Sequence, residues 1–592
     1  MRIDRLEKIH LLPPSILILY NPTIMNDLRN CAQTDFPENS VWITDIPGAI
    51  REKSALHAGD EPPRNVWQHF DYETMGGIRG RLIYAPQVSG AGEVSIPLPA
   101  HGWHRICLGL VSTLPGFLGI SMGLRVRLDS DPAFYSVAGT GINWFWELAD
   151  NLWKSARLEN SVLHIARAAS QSSLAWIRLE PMNASEIVAA ERRIAKRNRR
   201  GLVSTCDSYS VSTLDDFYGE ILPFRDSNVK KLYFNLANGD SCDLLPTRIG
   251  TQRSHHGGDY MRPIDHDIAV ALEQVRREHP DVIAKLCDFS HRIGIEFHAS
   301  IRPGAMHMSG FGMTSEFFRM HPELWCVNRD GTPTTRLSFA APEVRAHFLE
   351  LFREMLEYDV DGLNLVFIRA LPSMLYEPPF QESFLAVHGV NPLELTEDDP
   401  RISAHRAEVM TSFLRQVRAL LDEHGARRNK HLELSLTVPA TRTVNEFHGM
   451  ALKHWSDEGL IDLIMVDSAV LNRFHDERPS NIEYEYFAEV CAGNNCRFFP
   501  KMFWELGQPS GTKIRDAYRE VIQKGATGGM MWDGIPHYVS RLAWWEYIHM
   551  LGDDDETVLE SQIRSRSPEA RLHLLKTLEG FDVDHYPPHT GF

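Results

Sequence analysis

The stretch "GIEFHASIR" (294–302) decides how this chain is read. With a period of two, Ile295, Phe297, Ala299 and Ile301 fall on one side, and Glu296, His298, Ser300 and Arg302 on the other. An apolar row meeting helices and a second row pointing to a centre is the pattern of a barrel strand. Four polar groups in one inward row are costly unless they are paired or wetted. In a parallel barrel, water and ligands arrive at the C-terminal ends of the strands. His298 and Arg302 are therefore expected to bind substrate, with Glu296 deeper and orienting them.

Seven further runs have a strand-like texture: 202–208, 229–236, 360–367, 432–439, 460–467, 496–504 and 528–534. Helical patterns lie between them. In "APEVRAHFLELFREMLEYD", Val344, Phe348, Leu351, Phe352 and Met355 share one face. Eight strand-then-helix units predict an α/β chain with a (β/α)8 barrel of the TIM type over 201–552. A doubly wound sheet is the alternative, but no glycine-rich phosphate loop follows the first strand.

Ahead of the barrel the texture is different. "IRGRLIYAPQ", "GEVSIPLPA", "HRICLGLVS", "GLRVRLDSD", "SVLHIARAA" and "LAWIRLEPM" are short runs separated by turn residues. They predict an N-terminal antiparallel β-sandwich, jelly-roll-like, over 1–182. "INWFWELADNLWKSA" interrupts it with Trp144, Trp146 and Trp153, read as packing beneath the sandwich. Residues 183–200 read as a linker helix, capped by Ser185 and ended by Gly201. Residues 553–592 read as a C-terminal tail with one helix over "SPEARLHLLKTL".

The 592 residues exceed one ordinary core, and 43% apolar with 23% charged residues is a globular composition. A net charge of −17 without a basic stripe argues against nucleic-acid binding. "ERRIAKRNRR" (191–200) is the nearest basic run and reads as one solvated helix face. The eight cysteines form no C-x-x-C pair, as expected of reduced thiols in a cytoplasmic protein. The apolar run near the start, "SILILY", is too short for a signal segment or a membrane span. The oligomeric state stays open, a homo-oligomer included.

Polar and aromatic residues collect at the predicted strand ends. Asn235 ends the second, Asp467 the sixth, Trp504 and Glu505 the seventh, and Trp532 and Asp533 the eighth. Aromatic faces beside acids suit a carbohydrate, whose ring stacks while its hydroxyls hydrogen-bond. Glycoside hydrolysis needs two carboxyl groups flanking the bond. Glu505 is the expected nucleophile or base. Glu377, in "LYEPPF" past the fourth strand, is the expected acid, and Asp467 and Asp533 are held in reserve. Arg369 and Tyr376, on the same loop as Glu377, are expected to bind substrate. "SHHGGDY" (254–260), with His255, His256 and Asp259, and nearby Asp265 and His266 lack the spacing of a metal site. No metal and no cofactor are expected.

"HPELWCVNRDGTP" (321–333) and "LSFAAPEVRAHFLELFREMLEYDVDGLNL" (337–365), with "IEFHASIRPG" and "RALPSMLYEPPF", resemble the bacterial family-10-like glycosyl hydrolase barrels. The resemblance implies the barrel, a preceding sandwich and activity on sugars. Many relatives carry Asp in a D-G-x-x-L-D pattern where this chain has Val366. That acid's role is not carried over. The expected function is hydrolysis of an oligosaccharide or glycoside. A sugar-active lyase or isomerase, or a carbohydrate-binding protein without catalysis, are the alternatives.

Overall fold

The computed structural model describes residues 36–58, 64–86, 89–111, 123–138, 147–168, 171–195, 201–206, 213–225, 227–254, 263–304, 314–368, 370–467, 482–502, 511–532 and 571–579. The chain is mixed α/β. Each of the eight runs read as strands contains one: β1 (Leu202–Cys206), β2 (Val229–Asn238), β3 (Glu296–Arg302), β4 (Gly362–Val366), β5 (Glu433–Pro439), β6 (Leu463–Asp467), β7 (Arg497–Pro500) and β8 (Gly529–Met531). Consecutive strands from β1 to β7 pair in parallel. β8 lies parallel to β1. Among the described residues, β7 and β8 share one parallel bridge, Lys501↔Met530, with Met502 N donating to Met530 O at 3.1 Å.

The period of two survives in three dimensions. Phe297, Ala299 and Ile301 of β3, with Ile295 just before it, pack into the large core shared with the helices. In the helix Pro342–Met355 the five residues read as one face, Val344, Phe348, Leu351, Phe352 and Met355, are all fully buried. The opposite row of the strands builds its own cluster, in which Val203, Tyr233, Val366, Leu463, Met465, Phe499, Met530 and Trp532 meet. Asp361, just before β4, ties the N-terminal ends of two strands. Its carboxylate accepts from Phe297 N at 2.6 Å and pairs with His291 at 2.8 Å and with Lys430. Burial pushes this carboxyl up, but the His291 hydrogen bond and nearby positive charges win and hold it at about 2.

Among the described residues, those ahead of β1, joined by one strand from the C-terminal end, form two sheets, antiparallel except where Leu56–Ala58 runs parallel to Trp67–Thr74. One runs Val41–Ile43, Trp176–Pro181, His101–Val111, Glu147–Glu159, Arg571–Glu579, Trp67–Thr74, Arg79–Ala85 and Ser172–Leu174, with Leu56–Ala58 beside Trp67–Thr74. The other runs Val94–Pro97, Val162–Arg167, Gly123–Leu128 and Tyr135–Ala138. In Gly123–Leu128 the alternation is plain: Leu124, Val126 and Leu128 are buried while Arg125 and Arg127 are half-buried. The helix Leu214–Ile221, after β1, packs against Tyr135–Ala138. A Cβ on Gly219 would lie 2.9 Å from Phe134 O, so the close approach needs glycine.

Three local readings change. The Trp-rich interruption holds the start of a strand, Glu147–Glu159, although its Trp153 is buried in the core as expected. Trp144 and Trp146 lie outside the described residues. The linker helix, Ala184–Ala195, is capped by Asn183 instead of Ser185. Asn183 Oδ1 accepts from Glu186 N at 3.1 Å while Glu186 accepts from Asn183 N at 3.0 Å, a reciprocal box. The tail is not helical over 571–579: Arg571–Glu579 is a strand between Glu147–Glu159 and Trp67–Thr74. Pairing on both sides outweighs its local helical pattern. Among the described residues no helix is long and apolar enough to cross a membrane.

Candidate active site

The inward side chains sort into three levels along the parallel strands. At the N-terminal ends lies an ion network. Lys231 binds Glu296, and also Glu433 at 2.9 Å. Arg497 binds Glu433, and Lys230 reaches Glu296 at 3.2 Å. His298 belongs to this end. Its Nε2 lies 3.5 Å from Glu296, it is fully buried, and it pairs across the strands with Tyr233 and with Gly362, the first residue of β4. β3 begins only at Glu296, so His298 is one inward step from the end remote from the expected site.

This network is also where a metal would be sought. Ligand atoms of Glu296, His298 and Glu433 lie within 4.8 Å of one another. Yet Lys231 already binds both carboxylates, and Arg497 binds one of them. The positive charge an ion would bring is supplied by the chain. Burial raises the Glu296 and Glu433 carboxyls, but His298 and Lys231, with Arg497 at Glu433, outweigh it and hold both below the ordinary 4.5.

The middle level is neutral. Asn364 accepts from Ser300 Oγ at 3.0 Å and Thr437 Oγ1 at 3.3 Å, and donates to Ser435 Oγ at 3.1 Å. These four residues are buried. Asn235 pairs in register with Ser300, at the same height.

The C-terminal level carries charge and an aromatic face. Asp467, the last residue of β6, is fully buried, and both its oxygens face Lys501 Nζ, at 3.1 and 3.3 Å. Lys501 is fixed by its N–H to Val466 O, 2.9 Å. Its ammonium lies 5.7 Å from the centre of the Trp532 ring, and the Arg302 guanidinium lies 5.7 Å from the same ring. Arg302 is anchored by donating to Asn238 Oδ1 at 2.8 Å. Asn238 in turn reaches Asp243 at 3.4 Å, and Asp243 pairs with Arg253 at 3.2 Å. Arg302, Asp467 and Trp532 are thus brought together around Lys501, a residue sequence reading passed over. The signal was present: in "CRFFPKMFW", Arg497, Phe499 and Lys501 fall on one face.

The loop after β4 is organised around a buried carboxylate. Glu377 is fully buried at the start of helix Pro378–His388. It accepts from Ser338 Oγ, from Leu375 N at 3.0 Å and from Val327 N at 3.2 Å. Burial pushes its carboxyl up, against the pull of these hydrogen bonds. Tyr376 is buried under Arg406 and Arg329, whose guanidinium carbons lie 5.5 and 5.4 Å from its ring centre. Arg369, Trp504, Glu505 and Asp533 lie outside the described residues, as do His255, His256 and Asp259. His266 is exposed on the helix Pro263–Glu278, beside Asp267 at 3.5 Å.

No family model matches the chain. No curated protein matches it either. Solved structures similar to it include glycosidases. One is an α-galactosidase from Thermus thermophilus, 12% identical, TM-score 0.32, covering 84% of this chain and 94% of that one. A chitobiase from Flavobacterium johnsoniae is 12% identical with TM-score 0.36, covering 69% of this chain and 54% of that one. A β-N-acetylhexosaminidase is 11% identical with TM-score 0.38, covering 67% of this chain and 78% of that one.

Proposed function

We propose that this protein is a glycoside hydrolase of the family-10-like kind. Its eight parallel strands form a (β/α)8 barrel over 201–552, and the antiparallel sheets form a sandwich built from 1–182 and the C-terminal strand. The reading rests on one observation. Asp467 is a fully buried carboxylate at a strand's C-terminal end, clamped by Lys501 beside the Trp532 indole and the Arg302 guanidinium.

A sugar ring laid on Trp532 presents hydroxyls to Arg302 and Lys501, and its anomeric carbon to Asp467. Asp467 is the carboxylate that attacks or activates water. Glu505, four residues beyond Lys501 in the sequence, is the partner carboxyl, with Asp533 as the alternative. Glu377, with its oxygens held by backbone N–H groups and Ser338, braces the loop after β4 and is not the acid. The substrate is an oligosaccharide or glycoside met in the cytoplasm.

A second reading has its own support. Among the described inward residues in the C-terminal halves of β1–β8, Asp467 is the one carboxylate. A single base beside a lysine suits elimination or isomerisation of a sugar, which needs no acid pair.

The test is turnover of a panel of aryl glycosides by the wild type, Asp467→Asn and Glu505→Gln. Both variants should fold and lose at least about a thousandfold in kcat. Wild-type turnover in Asp467→Asn would remove the assignment.

A further inference from the structure

Several polar atoms on the inward rows lack a hydrogen-bond partner among the described residues, and at Asn235 both amide atoms do. Asn235 is only 2% exposed, and among the described residues neither its Nδ2 nor its Oδ1 has a hydrogen-bond partner. An amide buried without partners destabilises the fold, so such groups are rare and call for a cause. Its neighbour in register spends its proton elsewhere, the Ser300 hydroxyl donating to Asn364. The strand is irregular at this point: the pairing of β2 with β3 slips between Asn235 and Ala237. Such bulges re-aim a side chain and are common next to active sites. Beyond the slip, Asn238 pairs with Arg302, which faces Trp532, so Asn235 lies one inward step beneath the aromatic and charged level.

We propose that Asn235 reads two neighbouring hydroxyls of a neutral sugar, Nδ2 donating to one oxygen and Oδ1 accepting from the other hydroxyl. This rests on the reading of the C-terminal strand ends as a carbohydrate site and names the class of sugar. An amide edge offers a donor and an acceptor side by side, which is what a vicinal diol matches. The level it belongs to, Asn235, Ser300, Asn364, Ser435 and Thr437, is uncharged and buried. A carboxylate or phosphate pressed onto that level would be desolvated against neutral groups, while the cations one step above are engaged, Arg302 by Asn238 and Lys501 by Asp467, so uronates and sugar phosphates are disfavoured there.

The experiment combines a stability and a binding readout on the full chain. The variants are Asn235→Leu, which keeps the branched shape without the polar atoms, and Asn235→Ala. The probes are methyl glycosides of glucose, galactose and mannose, their monodeoxy analogues, and methyl glucuronoside, followed by ligand-observed NMR and calorimetry. An amide kept free for a ligand predicts that Asn235→Leu melts a few degrees higher than wild type without sugar. Both variants should lose roughly ten- to hundredfold in affinity for the neutral glycoside. One or two of the deoxy analogues should bind the wild type as weakly as the parent binds the variants. Loss of thermal stability in Asn235→Leu with sugar affinity unchanged would mean the amide anchors a structural water, and would overturn the proposal. Preference for the glucuronoside would overturn it too. A wild type that binds none of the probes removes the carbohydrate reading itself, and this inference with it.

Discussion

Replacing Lys231 with Met removes the cation at the centre of the N-terminal ion network. The ammonium binds Glu296, and Glu433 at 2.9 Å, and its side chain is only 6% exposed. Breaking a buried charge set by deleting one member costs about 3–5 kcal/mol, because the partners stay buried and unpaired. Two features lower that figure here. Glu296 is 28% exposed and keeps Lys230 at 3.2 Å, and Glu433 keeps Arg497. The expected loss is therefore about 2–4 kcal/mol at pH 7. The pH dependence follows from the same contacts. Both carboxyls titrate below their ordinary 4.5 in the folded state. Their contribution is complete above that pH and is lost as the pH falls through the folded-state values. Without Lys231 the carboxyls are held down less, so stability should decline less steeply below pH 4.5 than in the wild type. Urea denaturation followed by circular dichroism, at pH 7 and at steps down to pH 3, measures both effects; urea is used because a salt denaturant would screen the network. Turnover per folded molecule should be unchanged, because the network is at the end of the strands remote from Asp467. A variant within about 0.5 kcal/mol of wild type at pH 7, or with the same acid slope, would refute the reasoning.

Glu377→Gln sets an NH2 group against the N–H groups of Leu375 and Val327 or against Ser338, and should cost about 1–3 kcal/mol in urea titrations while leaving kcat within a few-fold. A kcat reduced by orders of magnitude with stability intact would restore Glu377 as the acid. A chain stopped at residue 570 lacks the strand between Glu147–Glu159 and Trp67–Thr74, which leaves two open edges in that sheet. Limited proteolysis should then cut within 36–182 far faster than in the full chain, and equal resistance would contradict the pairing. Trp532→Ala should raise KM roughly tenfold or more with a smaller change in kcat, measured on whichever aryl glycoside the wild type turns over.

The parallel strands were legible because their alternation is strong and each is bounded by turn residues, as "GIEFHASIR" illustrates. Depth along a strand was not. The alternation put His298 on the inward row correctly, but only the place where β3 starts reveals that it belongs with Glu296 and Lys231. Partners far apart in sequence were equally hidden. Glu377 meets Ser338 and Val327, 39 and 50 residues away, and these contacts bury a loop acid that looks exposed in the sequence. Asp467 meets Lys501, 34 residues on, through strand pairing alone. In "RLHLLKTLE" the leucines 572, 575 and 578 fit a helical period, while the strand is imposed by neighbours from the other end of the chain.

The central claim is that a glycosidic bond is cleaved by water at Asp467. Its most direct test is to run the reaction in water enriched in oxygen-18, on the best glycoside of the panel, and to examine the sugar product by mass spectrometry and proton NMR. Hydrolysis predicts one heavy oxygen at the anomeric position of the released sugar and no product from Asp467→Asn. An unlabelled sugar carrying a new vinylic proton, or labelled product formed equally fast by Asp467→Asn, would contradict the account.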